Sequence, residues 1–186
     1  LRHLGPLDQG SLLIVGLGVS LAIGLLCGAI NGGLVVGLGV HPFIITLGTM
    51  WIIRGIAFVT SRAESILLPP GLTAVSKSSL GLGDALYPVP MLVMVATAVV
   101  GAVYLVRTVS GRYVFAVGGN PEASRFSGVP VGRVKITVFI LSGLTAGLAA
   151  FMGASFYGSA SCADATGYEL YVIASAVVGG ASLSGG

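Results

Sequence analysis

Between Asp8 and Arg54 the chain runs for 45 residues without an acidic or basic side chain. A helix that crosses the hydrocarbon layer of a bilayer needs about 20 apolar residues, so this one stretch holds two. Uncharged windows of 22 residues between Asp84 and Arg107, 28 between Lys135 and Asp164, and 17 after Glu169 follow. The second and third windows each hold one span, and the fourth holds a partial or re-entrant segment. Only 8% of the residues are charged and 55% are hydrophobic, whereas a soluble domain carries about 25% charged residues. Such a chain cannot cover a surface that faces water. Disordered chains are poor in apolar residues and rich in charge, and the 30 glycines follow no Gly-X-Y period of the kind a collagen requires. What remains is an all-α polytopic membrane protein, a helical bundle of about four full spans plus a partial or re-entrant segment, with 1–186 forming one transmembrane domain.

The spans are predicted at 11–34, 43–60, 90–107 and 136–157, with a further segment from about 170. Val36 to Pro42 joins the first two, because Gly and Pro interrupt helices and Pro42 suits the first turn of the next. Segment 107–135 carries Arg107, Arg112, Arg125, Arg133 and Lys135 against Glu122, a balance of +4. Segment 61–89 carries Arg62, Glu64, Lys77 and Asp84, which sum to zero, and segment 158–169 carries Asp164 and Glu169, a balance of −2. Positive loops stay on the cytoplasmic side, which puts 108–135 inside and 61–89 and 158–169 outside. The overall charge of +3 is thus explained by membrane topology, not by nucleic-acid binding. Segment 61–89, with its Pro69-Pro70-Gly71 and Pro88-Val89-Pro90, reads as a solvated connector, with a docking surface for an external partner as the alternative. The chain opens on Leu1 with no signal-peptide pattern and closes within an apolar run at Ser184-Gly185-Gly186, so it is expected to be an internal piece with spans missing at both ends. Cys27 and Cys162 suggest neither a disulfide nor a zinc framework.

Lipid supplies no hydrophobic force between helices, so spans associate where small residues let backbones approach. Gly16, Ser20, Gly24, Gly28 and Gly32 recur every four residues on the first span, and Ala146, Ala150 and Ala154, flanked by Gly143 and Gly147, on the fourth. Both stripes are expected to be packing faces. Polar side chains within spans are few: Asn31, Thr46, Thr49, Arg54, Thr97, Ser142 and Thr145. Asn31, Thr46, Thr49 and Arg54 are candidates for a substrate pathway, since intramembrane polar groups usually serve function. Two of them have a structural alternative. Asn31 stands near a helix end, and Arg54, two turns before the outer end of its span, is expected to snorkel outward. His41 has no second ligand nearby for a metal.

The most specific segment is the positive loop. Asn120 is a good N-cap, Pro121 a good first helical residue, and Glu122 suits the positive helix end. Gly128, followed by Pro130, suits the stop. A helix of about seven residues is therefore bracketed, and one so short must be held by packing. Ala123, Phe126 and Val129 offer an apolar contact, either to the protein's own membrane domain or to a groove on a cytoplasmic partner.

The run from Gly118-Gly119-Asn120-Pro121-Glu122-Ala123-Ser124-Arg125-Phe126-Ser127 to Gly128 resembles the coupling loop of bacterial ABC-transporter permeases of the ribose type. Thr166-Gly167-Tyr168-Glu169-Leu170, Ile173-Ala174 and the run Val178 to Gly186 resemble a second signature of that family, and Phe43 to Thr49 with Arg54-Gly55 a third. The resemblance implies a permease subunit of an ATP-driven importer that translocates a monosaccharide across the bacterial inner membrane and works as a dimer, of identical or different chains. It implies two ATP-binding cassette subunits on the cytoplasmic side and a periplasmic sugar-binding protein outside. It implies no catalytic residue and no cofactor bound by this chain, ATP being used by the partner subunit. Carried over by position, Gly119, Asn120, Glu122, Ala123, Arg125, Phe126 and Gly128 would couple the permease to the ATPase. Tyr168 and Glu169 would stand near the outer mouth as gate or pathway residues, although Glu169 equally suits a helix N-terminus.

This reading expects no nucleotide motif in the chain, and two other classes are weighed against it. A P-loop is absent: Gly71 with Lys77-Ser78 has Ser76 where the motif needs Gly. An intramembrane serine protease needs a nucleophile and a base face to face; the Ser-Gly pairs lack a Gly two residues before the Ser, and the two histidines, His3 and His41, sit at opposite ends. A proton-coupled secondary transporter usually carries intramembrane carboxylates, and these spans have none. An ABC permease for branched-chain amino acids or nucleosides is the nearest rival.

Overall fold

Among the described residues four helices are long and apolar enough to cross a membrane, and a shorter apolar helix follows them. They belong to a computed structural model that describes residues 9–77 and 88–181. Asp84 and the tail of the second signature beyond Ala181 lie outside the described residues, as does His3. In chain order the spans are α1 (Gln9–Leu38), α2 (Pro42–Ser61), α4 (Pro88–Arg107) and α7 (Val131–Tyr157). Between them come β1 (Ile66–Leu67), α3 (Pro70–Ser76), α5 (Val109–Gly119) and α6 (Pro121–Phe126), and after them β2 (Ser159–Ala160) and α8 (Tyr168–Val178).

The scaffold is the antiparallel pair of α1 and α7. Gly16 faces Phe151, Ser20 faces Gly147, Gly24 faces Gly143, Gly28 faces Phe139, and Gly32 faces Ile136. Each step of four residues forward on α1 is matched by about four backward on α7. A Cβ built at Gly24 would collide with the Gly143 carbonyl oxygen and stand 3.0 Å from its carbonyl carbon; one at Gly28 would stand 2.9 Å from Ile140 Cα. All these neighbours are backbone, so the two helices approach to a distance that any side chain would forbid. Close contact of this kind supplies the dispersion that lipid cannot. Ser20 adds a hydrogen bond, its hydroxyl donating to the Gly147 carbonyl at 2.6 Å. The stripe expected on the fourth span is corrected: Ala146 and Ala150 are exposed, and the flanking Gly143 and Gly147 form the face. Both patterns have helical spacing, and only the one whose removal of Cβ atoms matches a glycine stripe on α1 permits this approach.

Two span boundaries move. α1 continues through Gly37 to Leu38, leaving only residues 39–41 as connector, because the chain breaks at Gly39, whose φ is +64°. α7 begins at Val131 instead of 136. Arg133 and Lys135, read as loop charges, lie on its first turns, where long basic side chains keep their heads in water while the stem stays helical. His41 caps α2, its Nδ1 accepting from the Phe43 backbone N–H at 3.3 Å.

Segment 61–89 is more than a solvated connector over its described part. β1 and β2 pair antiparallel, Ile66 with Ala160 and Leu67 with Ser159, tying the loop after α2 to the loop after α7. That pairing requires both loops to lie on one side of the membrane, as charge alternation predicts. Next, α3 docks on α7. Leu72 is buried, and Ser76 and Ser155 are both fully buried. The Ser76 hydroxyl donates to Ser155 Oγ at 2.8 Å, and the Ser155 hydroxyl donates to the Leu72 carbonyl. Each of these two buried hydroxyls thereby has a hydrogen-bond partner.

Candidate functional site

On the opposite side from the β1–β2 pair, the chain between α4 and α7 folds as two helices, not as the single helix in a loop that the sequence suggested. Thr108 makes the turn out of α4. Its hydroxyl donates to the Tyr104 carbonyl at 2.7 Å and accepts from the Gly111 N–H at 3.0 Å. α5 then folds back so tightly that a Cβ at Gly111 would overlap the Leu105 carbonyl oxygen and stand 2.6 Å from its carbonyl carbon. The segment 109–119 carries no strong start signal other than Thr108, and its glycines at 111, 118 and 119 disguise it as loop.

α6 is held at both ends by its own sequence. Asn120 adopts an extended conformation, and its Oδ1 accepts from the Ala123 N–H at 2.9 Å. Pro121 occupies the first helical position, Glu122 the first turn and Arg125 the last, complementing the helix dipole. At the other end Gly128 has φ +80°, its N–H bonds the Arg125 carbonyl at 3.1 Å, and the Val129 N–H reaches back to the Ser124 carbonyl at 3.0 Å. This is a Schellman stop, and it calls for glycine at the residue with positive φ. Ser124 is 6% exposed and faces the protein, whereas Phe126 is 92% exposed. Of the apolar contacts weighed for this helix, Phe126 therefore makes none with its own domain, and Ala123 is exposed with it. A six-residue helix that carries a fully presented aromatic ring, clamped by caps and joined to α7 through residues 127–130, is built to present that ring rigidly.

The residues proposed for a pathway do not form one cluster. Asn31 and Thr49 are brought together across the α1–α2 interface, with 2.6 Å between Thr49 Oγ1 and Asn31 Oδ1. Thr46, one turn earlier, bonds the Pro42 and Phe43 carbonyls of its own helix. Thr97 and Thr145 likewise bond the Val93 and Ser142 carbonyls within their own helices. Arg54, expected to snorkel past the C-terminal end of its span, turns the other way. Its guanidinium carbon stands 5.8 Å from the centroid of the Trp51 ring, one turn deeper along α2. Helical side chains lean toward the N-terminus, and here that direction carries Arg54 away from the C-terminal end of α2; the ring supplies a cation–π partner. Tyr168 and Glu169 open α8 after Gly167, and Tyr168 packs edge-on against Tyr171 with ring centroids 6.1 Å apart. Glu169 sits in the first turn of α8, the position where a carboxylate complements the helix dipole. Nearby, Ser61 Oγ and Cys162 Sγ meet at 3.1 Å, linking the end of α2 to the loop before α8. No sequence signal announced that contact. Among the described residues no group of three His, Cys, Asp or Glu could hold a metal ion.

Comparison with known proteins gives a match over almost the whole chain. The family described as branched-chain amino acid transport system / permease component matches residues 4–186. The L-arabinose transport system permease protein AraH of Escherichia coli (strain K12) is 39% identical over 158 residues, 84% of this chain and 47% of the relative. The D-allose transport system permease protein AlsC of the same strain is 40% identical over 159 residues, 86% of this chain and 48% of the relative. The ribose import permease protein RbsC of Haemophilus influenzae is 40% identical over 169 residues, 90% of this chain and 52% of the relative. The chain spans about half the length of these curated relatives. No solved structure matches it.

Proposed function

Since this chain belongs to the family of branched-chain amino acid transport system permease components, we propose that it is the membrane-spanning permease subunit of an ATP-driven importer for a monosaccharide. The relatives named for arabinose, allose and ribose support a sugar as the solute. The family description itself supports the second reading, a branched-chain amino acid. In this reading the chain lies in the bacterial inner membrane with α6 on the cytoplasmic side. An ATP-binding cassette ATPase docks there, a periplasmic binding protein delivers the solute at the β1–β2 side, and a second permease subunit completes the assembly.

The observation that carries the reading is Phe126, 92% exposed on a helix capped at both ends. An exposed aromatic ring on a rigid helix is the kind of anchor that fills a partner's groove. Motion of a docked ATPase would pass from α6 through residues 127–130 into α7, and from α7 into α1 through their backbone contact. A rigid pair transmits displacement because close-packed interfaces shift as units instead of deforming. The test is uptake by proteoliposomes containing the intact permease, its ATPase and its binding protein. ATP-dependent accumulation of labelled pentose or hexose is expected, with no competition by leucine. Accumulation of leucine would establish the second reading, and uptake driven by an ion gradient without ATP would refute both.

A further inference from the structure

At the α6 end of the bundle a cleft of about 580 Å³ lies between the last turn of α1, helix α6 and the first turn of α7. Arg125, Arg133 and Lys135 line it against one acid, Glu122, a local balance of +2 from three cations and one anion. Among the described residues none of the three cationic side chains forms a hydrogen bond or an ion pair. The apolar part of the lining comes from Val35 and Val36 on α1 and from Val129 and Val131. Apolar surface continues along the end of α1, where Val36 is 37% exposed and Leu38 62%.

Unspent cations beside an exposed apolar wall, at the ends of two membrane spans, match an amphiphile with an anionic head. Guanidinium groups bind phosphate oxygens bidentately, and basic clefts between spans at the membrane surface recognise anionic headgroups. We propose that this cleft binds the phosphodiester head of an anionic phospholipid, with an acyl chain lying along Val36 and Leu38. A docking protein is the poorer fit, because Phe126, the residue α6 presents to a partner, is not part of the cleft lining. By joining Arg125 of α6 to Arg133 of α7, the lipid would steady the short helix against the spans. The proposal rests on the functional reading only in assigning the lipid to the cytoplasmic leaflet.

The test is native mass spectrometry of the intact protein offered phosphatidylglycerol or phosphatidylcholine. Wild type is expected to retain phosphatidylglycerol in preference. Each cation near an anionic lipid surface contributes about fivefold. The single variant Arg125→Gln, which leaves the spans untouched, is therefore expected to lose about that factor, and Arg125→Gln/Arg133→Gln/Lys135→Gln about a hundredfold. Arg112→Gln, on α5 outside the cleft, is expected to retain the lipid as wild type does, as is Phe126→Ala, which probes ATPase docking separately. Equal retention of both lipids, an unchanged triple variant, or an equal loss in Arg112→Gln would overturn the proposal. Displacement of the lipid by excess inorganic phosphate would assign the cleft to a free phosphate instead. Loss of the ATPase from the triple variant with lipid retention intact would assign the cleft to the protein partner.

Discussion

Gly24→Ala places one methyl group between α1 and α7, and the structure determines what it meets. The new Cβ would overlap the Gly143 carbonyl oxygen and stand 3.0 Å from the Gly143 carbonyl carbon and 3.2 Å from Gly147 Cα. None of these is the end of a flexible side chain, so α1 and α7 must separate along their shared face. Overpacking of a well-fitted interface costs about 1–3 kcal/mol. Replacing a helical glycine by alanine contributes about 1 kcal/mol in the opposite direction through helix propensity. Gly33→Ala, also on α1, isolates that second effect, because nothing lies within 4 Å of its Cβ. The two variants are thus expected to differ by the overpacking contribution alone, about 1–3 kcal/mol, with Gly33→Ala the more stable. For a chain of this size 1 kcal/mol moves the melting temperature by about 2–4 °C. Thermal unfolding of the intact protein in detergent, followed by circular dichroism, reads the difference. If Gly24→Ala melts with or above Gly33→Ala, the glycine stripe does not hold the bundle together and the scaffold argument is wrong.

Three further outcomes are expected. Ser155→Ala leaves the Ser76 hydroxyl and the Leu72 carbonyl buried without their partner, at about 1–3 kcal/mol; faster labelling of a cysteine introduced at Thr73 would report the loosened α3. Asn31→Ala combined with Thr49→Val in a double-mutant cycle should give a coupling of about 0.6 kcal/mol, the usual scale for hydrogen bonds between membrane helices, and a coupling of zero would show that the 2.6 Å contact contributes nothing. Asn120→Ala removes the cap that accepts from Ala123 and should weaken α6 by about 1 kcal/mol, seen as faster amide exchange over residues 121–126 with α7 unchanged.

The spans were legible because charge is excluded from the bilayer. A 45-residue gap between Asp8 and Arg54 can end in little else, and α1 and α2 lie within it apart from the last turns of α2. Charge was a poorer guide at the boundary, where Arg133 and Lys135 belong to α7 and not to the loop, because a basic side chain can leave the membrane while its backbone stays helical. α6 was legible through Asn120, Pro121 and Gly128, whose conformational requirements are local. α5 and α3 were not, since their stability comes from contacts that no local pattern reveals: the Gly111 backbone against Leu105, and Ser76 against Ser155, 79 residues apart. The pathway candidates were chosen only for being polar in an apolar stretch. That criterion cannot tell Thr49, which reaches another helix as well as its own, from Thr46, which bonds its own.

The most direct measurement of the central claim is co-purification of the ATP-binding cassette ATPase with the intact, affinity-tagged permease, wild type against Phe126→Ala. Phe126 is 92% exposed, so its truncation leaves the fold and the melting temperature unchanged. If the ring is buried in the ATPase, its loss removes about 1.5–3 kcal/mol of apolar burial, roughly a tenfold to 150-fold weaker complex. The account predicts that the variant folds, inserts and loses the ATPase. A variant that retains the ATPase at wild-type affinity would contradict it and show that α6 does not couple this chain to ATP hydrolysis through Phe126.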